Sequence, residues 1–337
     1  MIFQENKSLK SFNTFAVPAL ARYFVEVNRK EDLPVLFANQ ERLIRPLLVL
    51  GGGSNILFTR DFEGTVLKMN IKGIRVETSG DAVLVEAGAG EVWNDLVSYC
   101  VTNGYAGIEN LTLIPGSVGA APIQNIGAYG VELQHVFDSL EAFDTETGEF
   151  RCFNQEECAF GYRESVFKKE HRGQFIVTSV TLRLSSVFNP NTSYGAIETE
   201  LARRNITKPD ISDISEVVAD IRVSKLPDPS TIGNAGSFFK NPVIGEAEFE
   251  QLRKKFPDVV SFSMAGDRVK LAAGWLIEQC GWKGKITGHT GTWKNQALVL
   301  VNHGHATGDE VYALSEAIIG SVRDKFGLVL EREVNII

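Results

Sequence analysis

Three segments within the first 130 residues are rich in glycine and follow extended, apolar stretches. They are residues 51–54, 88–90 and 114–121, and residues 124–130 follow the third one closely. Glycine has no Cβ, so its backbone approaches a neighbouring chain or a ligand closely, and successive N–H groups then form a concave anion site. A single loop of this kind is more often just a tight turn. Three of them favour an extended ligand, such as a dinucleotide, that lies against backbone.

Neither of the two common nucleotide-binding motifs explains these loops. The Rossmann fingerprint needs GxGxxG at the start of a helix, whereas Gly51-Gly52-Gly53-Ser54-Asn55 leads directly into the extended segment 56–58. The lysine of a P-loop is also missing. The residues alone therefore favour a nucleotide-type ligand and leave its identity open.

Composition excludes several classes of protein. The chain has 337 residues, of which 44% are hydrophobic and 23% charged, which is enough for two or three packed domains. The start of the sequence lacks the pattern of a signal peptide, and no apolar run reaches the roughly 18 residues of a membrane span. We therefore expect a cytoplasmic protein without membrane insertion. The net charge of −8 argues against a nucleic-acid partner.

The cysteines and histidines form no recognisable redox or metal motif. The spacing of His289, His303 and His305 fits no standard site, so we expect no bound metal. No CxxC pair occurs, and we expect four buried thiols, at Cys100, Cys152, Cys158 and Cys280.

Hydrophobic periodicity predicts a mixed α and β protein. The predicted strands are 22–27, 46–50, 56–58, a hairpin of 74–77 with 82–87, 137–144, 149–153, 175–184, 296–301 and 328–336. The predicted helices are 30–40, 93–103, 214–223, 246–256, 268–280 and 309–326. Pro227-Asp228-Pro229 interrupts the pattern and marks a domain boundary.

Three polar residues stand out as candidates for chemistry. Arg163 lies in Gly-Tyr-Arg-Glu-Ser, where an arginine beside an aromatic residue is usually a surface residue. Ser237 lies between a glycine and two phenylalanines, which predicts that its hydroxyl is close to backbone and partly shielded from water. No GxSxG motif or partner histidine supports a serine hydrolase. Glu331 and Glu333 share one face of the predicted terminal strand, so one carboxylate of the pair is open to solvent.

Together these segments resemble a known flavoprotein class. Residues 51–55, 114–119 and 124–130 resemble the FAD-binding domain of the vanillyl-alcohol-oxidase-type flavoproteins, and the last two resemble specifically the UDP-N-acetylenolpyruvoylglucosamine reductases. With Gly-Tyr-Arg-Glu-Ser, Asn-Ala-Gly-Ser-Phe-Phe-Lys-Asn-Pro and residues 269–279, the resemblance spans about 12–334 and is specific in combination.

The resemblance implies an α+β fold with a two-lobed FAD-binding domain of the p-cresol-methylhydroxylase type and a C-terminal α+β substrate-binding domain. The expected boundaries are 1–70 with 327–337 for the first lobe, 71–222 for the second lobe and 223–326 for the substrate-binding domain.

The resemblance also implies an activity. It implies reduction of UDP-N-acetylglucosamine enolpyruvate to UDP-N-acetylmuramate during peptidoglycan precursor synthesis, with NADPH as co-substrate and the protein acting as a monomer. No histidine occurs in residues 1–134, so non-covalent FAD is expected. By the resemblance, Ser237 returns a proton, Arg163 stabilises the enol intermediate, and Glu333 is the acidic partner.

Two sets of binding residues complete the expectation. The cofactor set lies in the glycine-rich segments and comprises Gly51, Gly52, Gly53, Ser54, Asn55, Pro115, Gly116, Ser117, Gly119, Ala120, Gln124, Asn125, Gly127 and Ala128. The substrate set comprises cations and polar groups for a UDP-sugar: Tyr194, Arg222, Lys225, Asn241, Lys270, Lys283 and Gln296. Tyr194 matches a tyrosine on a mobile loop that closes over the nucleotide in one subgroup (type I). Phe262 and Asn335 depart from the family, where tyrosine and arginine are common.

Two alternative functions stay open on the residues alone. A sugar or alcohol oxidase of the same flavin fold would need a base that takes a proton from a hydroxyl. A nucleotide-binding regulatory module would leave Arg163, Ser237 and Glu333 without a shared role.

Overall fold

The computed structural model of the chain describes residues 2–38, 43–264 and 266–337. The described helices are α1 (Asp32–Ala38), α2 (Trp93–Thr102), α3 (Gln155–Cys158), α4 (Gly195–Arg203), α5 (Ile211–Lys225), α6 (Glu246–Lys255), α7 (Ala273–Gln279) and α8 (Gly308–Phe326). The described strands are β1 (Gln4–Ser8), β2 (Leu20–Val27), β3 (Leu47–Leu50), β4 (Ile56–Leu57), β5 (Phe62–Met69), β6 (Ile74–Ser79), β7 (Ala82–Gly88), β8 (Gly127–Ala128), β9 (Val131–Glu132), β10 (Phe137–Asp144), β11 (Phe150–Asn154), β12 (Phe175–Ser185), β13 (Gly233–Ser237), β14 (Val243–Gly245), β15 (Ser261–Ser263), β16 (Arg268–Leu271), β17 (Ile286–Thr287), β18 (Thr290–Trp293), β19 (Gln296–Asn302) and β20 (Asn335–Ile336).

The chain divides into two compact units. The first comprises Met1–Lys7, Ala21–Gly53 and Glu63–Val223, and the second comprises Ser8–Leu20, Ser54–Phe62 and Ser224–Ile337. The finer division into two lobes and a substrate-binding domain stays a prediction.

Two sheets organise the first unit, in the strand orders β1-β2-β5-β3 and β11-β10-β12-β7-β6. Strands β6 and β7 form the predicted hairpin, with Ser79 opposite Ala82 and Gly80 at a φ of +58°, which glycine adopts without strain. Helix α2 packs its buried Trp93 and Leu96 into the same core as the second sheet. The apolar periodicity of residues 93–100 predicts this helix because it places those side chains on one face.

Two further sheets and helix α8 organise the second unit. The sheets run in the orders β13-β19-β18-β17 and β14-β16-β15, and a parallel pair joins β20 to β4. Helix α8 begins with a capping box, in which the Glu310 N–H donates to the Thr307 hydroxyl and the Thr307 N–H donates to the Glu310 carboxylate. Among the described residues, no helix is long and apolar enough to cross a membrane.

Several predicted elements are wrong in extent. Residues 268–280 are not one helix, because Val269 and Leu271 alternate with more exposed neighbours and form strand β16 ahead of helix α7. The terminal segment 328–336 is a strand only at Asn335–Ile336.

Two helix predictions also need adjustment, and one helix was missed. Helix α4 was not predicted at all, and the helix predicted at 214–223 extends over Ile211–Lys225. The helix predicted from Lys30 begins at Asp32, and its predicted end at Asn39 and Gln40 lies outside the described residues.

The expectation of four buried thiols is wrong for one cysteine. Cys100 and Cys158 are buried, and Cys280 is half-buried, but Cys152 is exposed on strand β11. Burial raises the pKa of the Cys100 and Cys158 thiols to about 12, and it raises the pKa of Cys280 as well. The reactive thiolate is therefore scarce at the two buried positions at neutral pH.

We expect an aromatic disulfide reagent at pH 8 to label one thiol of the native protein quickly. A pKa of about 12 leaves only about 10⁻⁴ of the buried thiols ionised at that pH, so Cys152 reacts first. Mass spectrometry of the labelled peptides identifies the site. Fast labelling that persists in Cys152→Ser would contradict the assignment.

Two glycines of helix α8 provide a matched test of packing. A Cβ at Gly308 would overlap the carbonyl oxygen of Phe58, whereas a Cβ at Gly320 meets nothing within 4 Å. We expect Gly308→Ala to lower the free energy of unfolding by about 1–3 kcal/mol. Gly320→Ala should raise it by about 0.5–1 kcal/mol, because alanine favours helix. Urea titration measures both, and equal effects would refute the packing argument.

Candidate functional site

The three glycine-rich loops pack against one another within the first unit. A Cβ at Gly52 would come within 2.8 Å of the Cα of Gly116, and one at Gly119 would lie 2.5 Å from the Cβ of Ala89. A Cβ at Gly51 would overlap the Ser117 hydroxyl. We call residues 51–53, 88–90 and 115–120 the glycine-loop cluster. Its glycines are needed because a Cβ would strike the backbone or a small side chain of the neighbouring loop, and the result is a surface of small residues.

Backbone hydrogen bonds hold the second and third loops of this cluster together. The Gly119 N–H donates to the Ala89 carbonyl at 2.9 Å, and the Val118 N–H donates to the Glu91 carbonyl at 2.9 Å. The Trp93 N–H donates to the Gly116 carbonyl at 3.0 Å, which ties the third loop to the start of α2. The predicted cofactor residues Pro115, Gly116, Ser117, Gly119 and Ala120 thus lie on one braced segment.

The remaining residues of the first predicted cofactor segment belong to the second unit. Ser54 and Asn55 precede strand β4, and the Asn55 side-chain amide donates to the Glu333 carbonyl at 3.2 Å. The Asn335 side-chain amide in turn donates to the Asn55 carbonyl at 2.9 Å. Asn335 therefore fastens the end of the chain to this segment.

Arg163 sits at the tip of a tight turn in the first unit. Gly161 and Glu164 exchange backbone hydrogen bonds of 3.0 and 3.2 Å, and Arg163 between them has a φ of +57°. An arginine in this left-handed region is strained by roughly 1–2 kcal/mol, so the surroundings must impose it. The guanidinium donates to the Gly127 carbonyl at 2.7 Å and, more weakly, to the Asn125 carbonyl at 3.5 Å. The turn therefore aims Arg163 at the segment that holds the predicted cofactor residues 124–128.

A second cluster of the first unit surrounds Tyr129. Its ring meets Tyr194 edge-on at a centroid distance of 5.2 Å, and its phenol accepts a hydrogen bond from Arg222. Burial raises the pKa of Tyr129 and lowers the pKa of Arg222. The Asn110 amide bridges the carbonyls of Tyr129 (3.0 Å) and Asn191 (2.9 Å), which holds the loop before Tyr194 in place. The structure thus brings together Tyr194 and Arg222 of the predicted substrate set.

Sequence reasoning missed Tyr129 and Asn110. Tyr129 stands within the recognised segment 124–130, but no periodicity or charge distinguishes it from its neighbours. Asn110 sits in a short turn, and only the fold places its amide between two carbonyls.

Ser237 and Glu333 lie on adjacent stretches of backbone in the second unit. Ser237 ends β13 opposite Val299, and the next residue, Phe238, accepts the Glu333 N–H at 2.8 Å. The Lys240 N–H donates to the Glu331 carbonyl at 2.9 Å, so residues 238–240 and 331–333 form a short antiparallel pair. The structure brings the predicted serine and glutamate together.

The Ser237 side chain is more exposed than its neighbours predict. Phe238 and Phe239 are buried, but Ser237 is exposed, so the expectation of a partly dry hydroxyl is wrong. The two buried phenylalanines anchor the backbone that follows the serine, while the register of β13 with β19 shifts just before it. The Ser237 hydroxyl makes no hydrogen bond to another residue that the structure describes.

The terminal segment carries Glu331 and Glu333 on either side of Arg332. Glu331 is paired with Lys240 at 3.1 Å and remains largely exposed. Between them, Arg332 turns the other way, where it donates to the Ser315 hydroxyl at 2.9 Å and also bonds Glu316 on α8. That Glu331 and Glu333 share one face stays a prediction.

Asn241 and Gln296 meet at the start of helix α7. The Asn241 side-chain oxygen accepts the Ala273 N–H at 2.9 Å, and the Gln296 oxygen lies 2.7 Å from where a Cβ at Gly274 would stand. Gly274 therefore leaves room for Gln296. The two predicted substrate residues are neighbours through this helix.

The predicted lysines have different surroundings. Lys270 lies over the ring of Phe262 at 5.7 Å, and the two residues are directly opposite in the pairing of β15 with β16. Lys283 forms an exposed ion pair with Glu278 at 2.9 Å, and such pairs contribute little to stability. Lys225 is the last residue of α5.

Potential metal ligands are scattered. His289 and His305 lie edge-on at 6.3 Å, but among the described residues no group of three potential ligands could hold a metal ion.

Comparison with known proteins gives this geometry a context. A family model described as "FAD binding domain" matches residues 21–153, and one described as "UDP-N-acetylenolpyruvoylglucosamine reductase, C-terminal domain" matches residues 228–337. The chain is 47% identical over 339 residues to the UDP-N-acetylenolpyruvoylglucosamine reductase of Flavobacterium johnsoniae, with 100% of both chains covered. It is 50% identical over 338 residues to that of Amoebophilus asiaticus, again with 100% of both covered.

A further relative and a solved structure agree with these matches. The chain is 49% identical to the reductase of Pseudomonas aeruginosa, over 99% of this chain and 98% of the relative. The crystal structure of UDP-N-acetylenolpyruvylglucosamine reductase from Thermus caldophilus aligns with a TM-score of 0.67 at 24% identity, covering 99% of this chain and 98% of that one. This last likeness shows the fold.

The FAD-binding match contains the whole glycine-loop cluster, and the close packing of the loops at Gly51, Gly52 and Gly119 fits that assignment.

We expect Gly52→Ala to force the first and third loops apart, because its Cβ would meet the Gly116 backbone. The purified protein should then retain clearly less flavin than the natural protein, since about 1–3 kcal/mol of strain costs roughly 5- to 160-fold in affinity. Flavin absorbance per protein measures this, with Gly320→Ala as the control. Full flavin content in Gly52→Ala would contradict the role of the cluster.

Proposed function

The chain belongs to the UDP-N-acetylenolpyruvoylglucosamine reductase family, and we propose that it reduces UDP-N-acetylglucosamine enolpyruvate to UDP-N-acetylmuramate with electrons from NADPH. It is an FAD-dependent oxidoreductase of peptidoglycan synthesis with the α+β fold expected from the sequence, an FAD-binding domain plus a C-terminal reductase domain. The observation that carries the proposal is the full-length similarity at 47–50% identity to reductases of this name.

The reaction adds a hydride and a proton across the enolpyruvyl double bond. FAD, which the glycine-loop cluster would hold, would supply the hydride-transfer chemistry that links the nicotinamide to the terminal carbon of the enolpyruvyl group. Negative charge then develops on the adjacent carbon and its carboxylate. The chain must stabilise that charge and return one proton to the adjacent carbon.

Arg163 is suited to stabilising the developing charge. A guanidinium binds a carboxylate or enolate in bidentate geometry, and such charge-assisted hydrogen bonds are strong where water is excluded. The tight turn from Gly161 to Glu164 holds its backbone, and the Gly127 carbonyl holds one edge of the guanidinium. An arginine fixed before the substrate arrives costs less to order during the reaction.

Ser237 is suited to returning the proton, with Glu333 as its acidic neighbour. The serine is exposed beside two buried phenylalanines, so its backbone is held while its hydroxyl is accessible. The pairing of Glu333 with Phe238 places the glutamate backbone next to the serine.

The Tyr129 cluster and the lysines are proposed to bind the nucleotide. Arg222 presents a cation beside Tyr129 and Tyr194, and Lys225, Lys270 and Lys283 supply charge for the diphosphate and the second polyanion, NADPH. Action as a monomer in the cytoplasm belongs to the same proposal.

The test separates the two half-reactions. The purified flavoprotein is mixed anaerobically with NADPH while absorbance near 450 nm is followed, and UDP-N-acetylglucosamine enolpyruvate is then added. We expect bleaching, followed by reoxidation when the sugar is added. Reoxidation by oxygen alone would point to an oxidase, and a protein without flavin would point to a binding module.

We expect Ser237→Ala to bleach at the normal rate but to complete turnover about 10²–10⁴-fold more slowly, the usual contribution of a general acid. Product formation and flavin reoxidation are measured in the same samples. The control is Ser321→Ala, whose hydroxyl is exposed and bonded within its own helix to the Ala317 carbonyl. Normal product formation by Ser237→Ala would remove the serine from the mechanism.

A further inference from the structure

We propose that Asn125 is a positioning residue for Arg163, and that Glu132 orients the Asn125 amide for this task. The inference rests on the proposed function, because it concerns the arginine to which that function assigns the developing negative charge. It places Asn125 outside the direct cofactor contacts that the sequence predicts for it.

The side chain of Asn125 is buried and fully engaged with protein. Its Nδ2 donates to the Glu132 Oε2 at 2.9 Å and to the Gly161 carbonyl at 3.0 Å, which uses both amide hydrogens. Its Oδ1 accepts the Gln134 N–H at 3.0 Å. Asn125 has no exposed surface. A side chain with both hydrogens used and no exposure is built to join segments of the chain.

Glu132 determines which way the Asn125 amide points. An ionised carboxylate only accepts hydrogen bonds, and it accepts them here from Asn125 and from the Gln134 Nε2 at 2.6 Å. The backbone N–H of Gln134 only donates, so it must face the Asn125 oxygen. Both neighbours therefore demand the same orientation, in which Nδ2 faces the Gly161 carbonyl.

Gly161 connects Asn125 to the catalytic arginine. Its carbonyl accepts the Asn125 amide and also the Glu164 N–H, which closes the turn that carries Arg163. From the other side, the Asn125 and Gly127 carbonyls accept from the Arg163 guanidinium. Asn125 thus contacts both the base of the turn and the head of the side chain.

Backbone conformation points the same way. Asn125 has a φ of +43° and Arg163 a φ of +57°, both in the left-handed region. Asparagine enters this region more readily than most residues, whereas arginine does not. Asn125, which tolerates a positive φ, therefore helps to hold Arg163, which does not. Such a linkage fixes the guanidinium before any ligand arrives.

Asn125→Asp removes the donor and keeps the shape. Aspartate can still accept the Gln134 N–H and can still adopt a positive φ, but it loses the bond to Gly161 and faces the Glu132 carboxylate. We expect the flavin content and the rate of bleaching by NADPH to stay within about twofold of the natural protein. The limiting rate of reoxidation by the enolpyruvyl UDP-sugar should fall about 10²-fold, which is the cost of displacing a group such as the Arg163 guanidinium by about 1 Å.

Asn205→Asp is the matched control. Asn205 also has a positive φ, of +58°, and its side chain is exposed, so the same chemical change there tests the charge and the conformation alone. We expect it to leave both half-reactions unchanged.

A double-variant cycle tests whether Asn125 acts through Arg163. If it does, Asn125→Asp should slow reoxidation by less than about threefold in an Arg163→Ala background, because the group it positions is gone. A general structural role predicts the full loss of about 10²-fold in both backgrounds, as independent effects multiply. Calorimetric titration of the sugar into the oxidised protein, in all four variants, gives the same cycle without turnover.

Combining Asn125→Asp with Glu132→Gln separates folding from positioning. The introduced glutamine amide can donate to the introduced aspartate and remove the repulsion, but the Gly161 carbonyl still lacks its donor. We expect urea titration of the flavin-free protein to show recovered stability, with reoxidation still about 10²-fold slow. This double variant decides the matter if Asn125→Asp alone does not fold.

Three results would overturn the inference: reoxidation at the natural rate, an equal loss with and without Arg163, or loss of flavin with normal reoxidation of the flavin that remains. The last would return Asn125 to the cofactor set. If the natural protein itself is not reoxidised by the sugar, the proposed function fails, and that outcome is distinct from the other three.

Discussion

The first unit depends on close contact between backbones in the glycine-loop cluster. At Gly51, Gly52 and Gly119 any Cβ would strike a neighbouring loop, so side chains cannot fill this space. Removing side chains gives up the packing energy that normally orders a loop, and glycine adds conformational entropy to the unfolded chain. The cost is offset by interloop hydrogen bonds and by the buried Trp93, whose indole N–H donates to the Leu111 carbonyl at 3.1 Å. A surface of backbone is thus kept rigid by a core placed directly behind it, which is what a ligand that lies against main chain requires.

In the second unit, the segment before β20 is also held rigid, but by buried side chains and one arginine instead of by contacts between loops. The residues before β20 form almost no regular strand, yet they are fixed, because Leu330 and Val334 are buried and Arg332 is bonded to α8. Arg332 also stacks over the ring of Tyr312 at 4.5 Å. Its guanidinium lowers the pKa of Glu316, so this anchor weakens only in acid, when that carboxylate is protonated. A short segment anchored by Arg332 can therefore hold the backbone of Glu333 against Phe238, the residue after Ser237, without the support of a sheet.

Much of the fold could be predicted from local pattern, and the failures have physical causes. The β6–β7 hairpin and helix α8 carry strong periodicity together with turn or cap residues, so they were found. Residues 268–280 were wrongly predicted as one helix because a short strand runs almost directly into a helix, and both are apolar. In the candidate site, the glycine-rich segments and the segments that resemble the family could be picked out from the sequence. The hydrogen bonds of Asn125, Asn110 and Arg332 join residues far apart in sequence, and no periodicity encodes such pairings.

Phe262 and Asn335, the two residues that the resemblance leads us to expect as tyrosine and arginine, have contacts that show how each fits this structure. Phe262 has no hydroxyl, and Lys270 lies over its ring at 5.7 Å from the paired strand. An ammonium over an aromatic face gains attraction without a hydroxyl, so the lysine is still guided by its neighbour. Asn335 donates its side-chain amide to the Asn55 carbonyl and ties the terminus to β4. Phe262 therefore helps to place a cation, whereas Asn335 supplies a backbone tether and no charge. Charge for anionic ligands must come from lysines and arginines elsewhere in the chain.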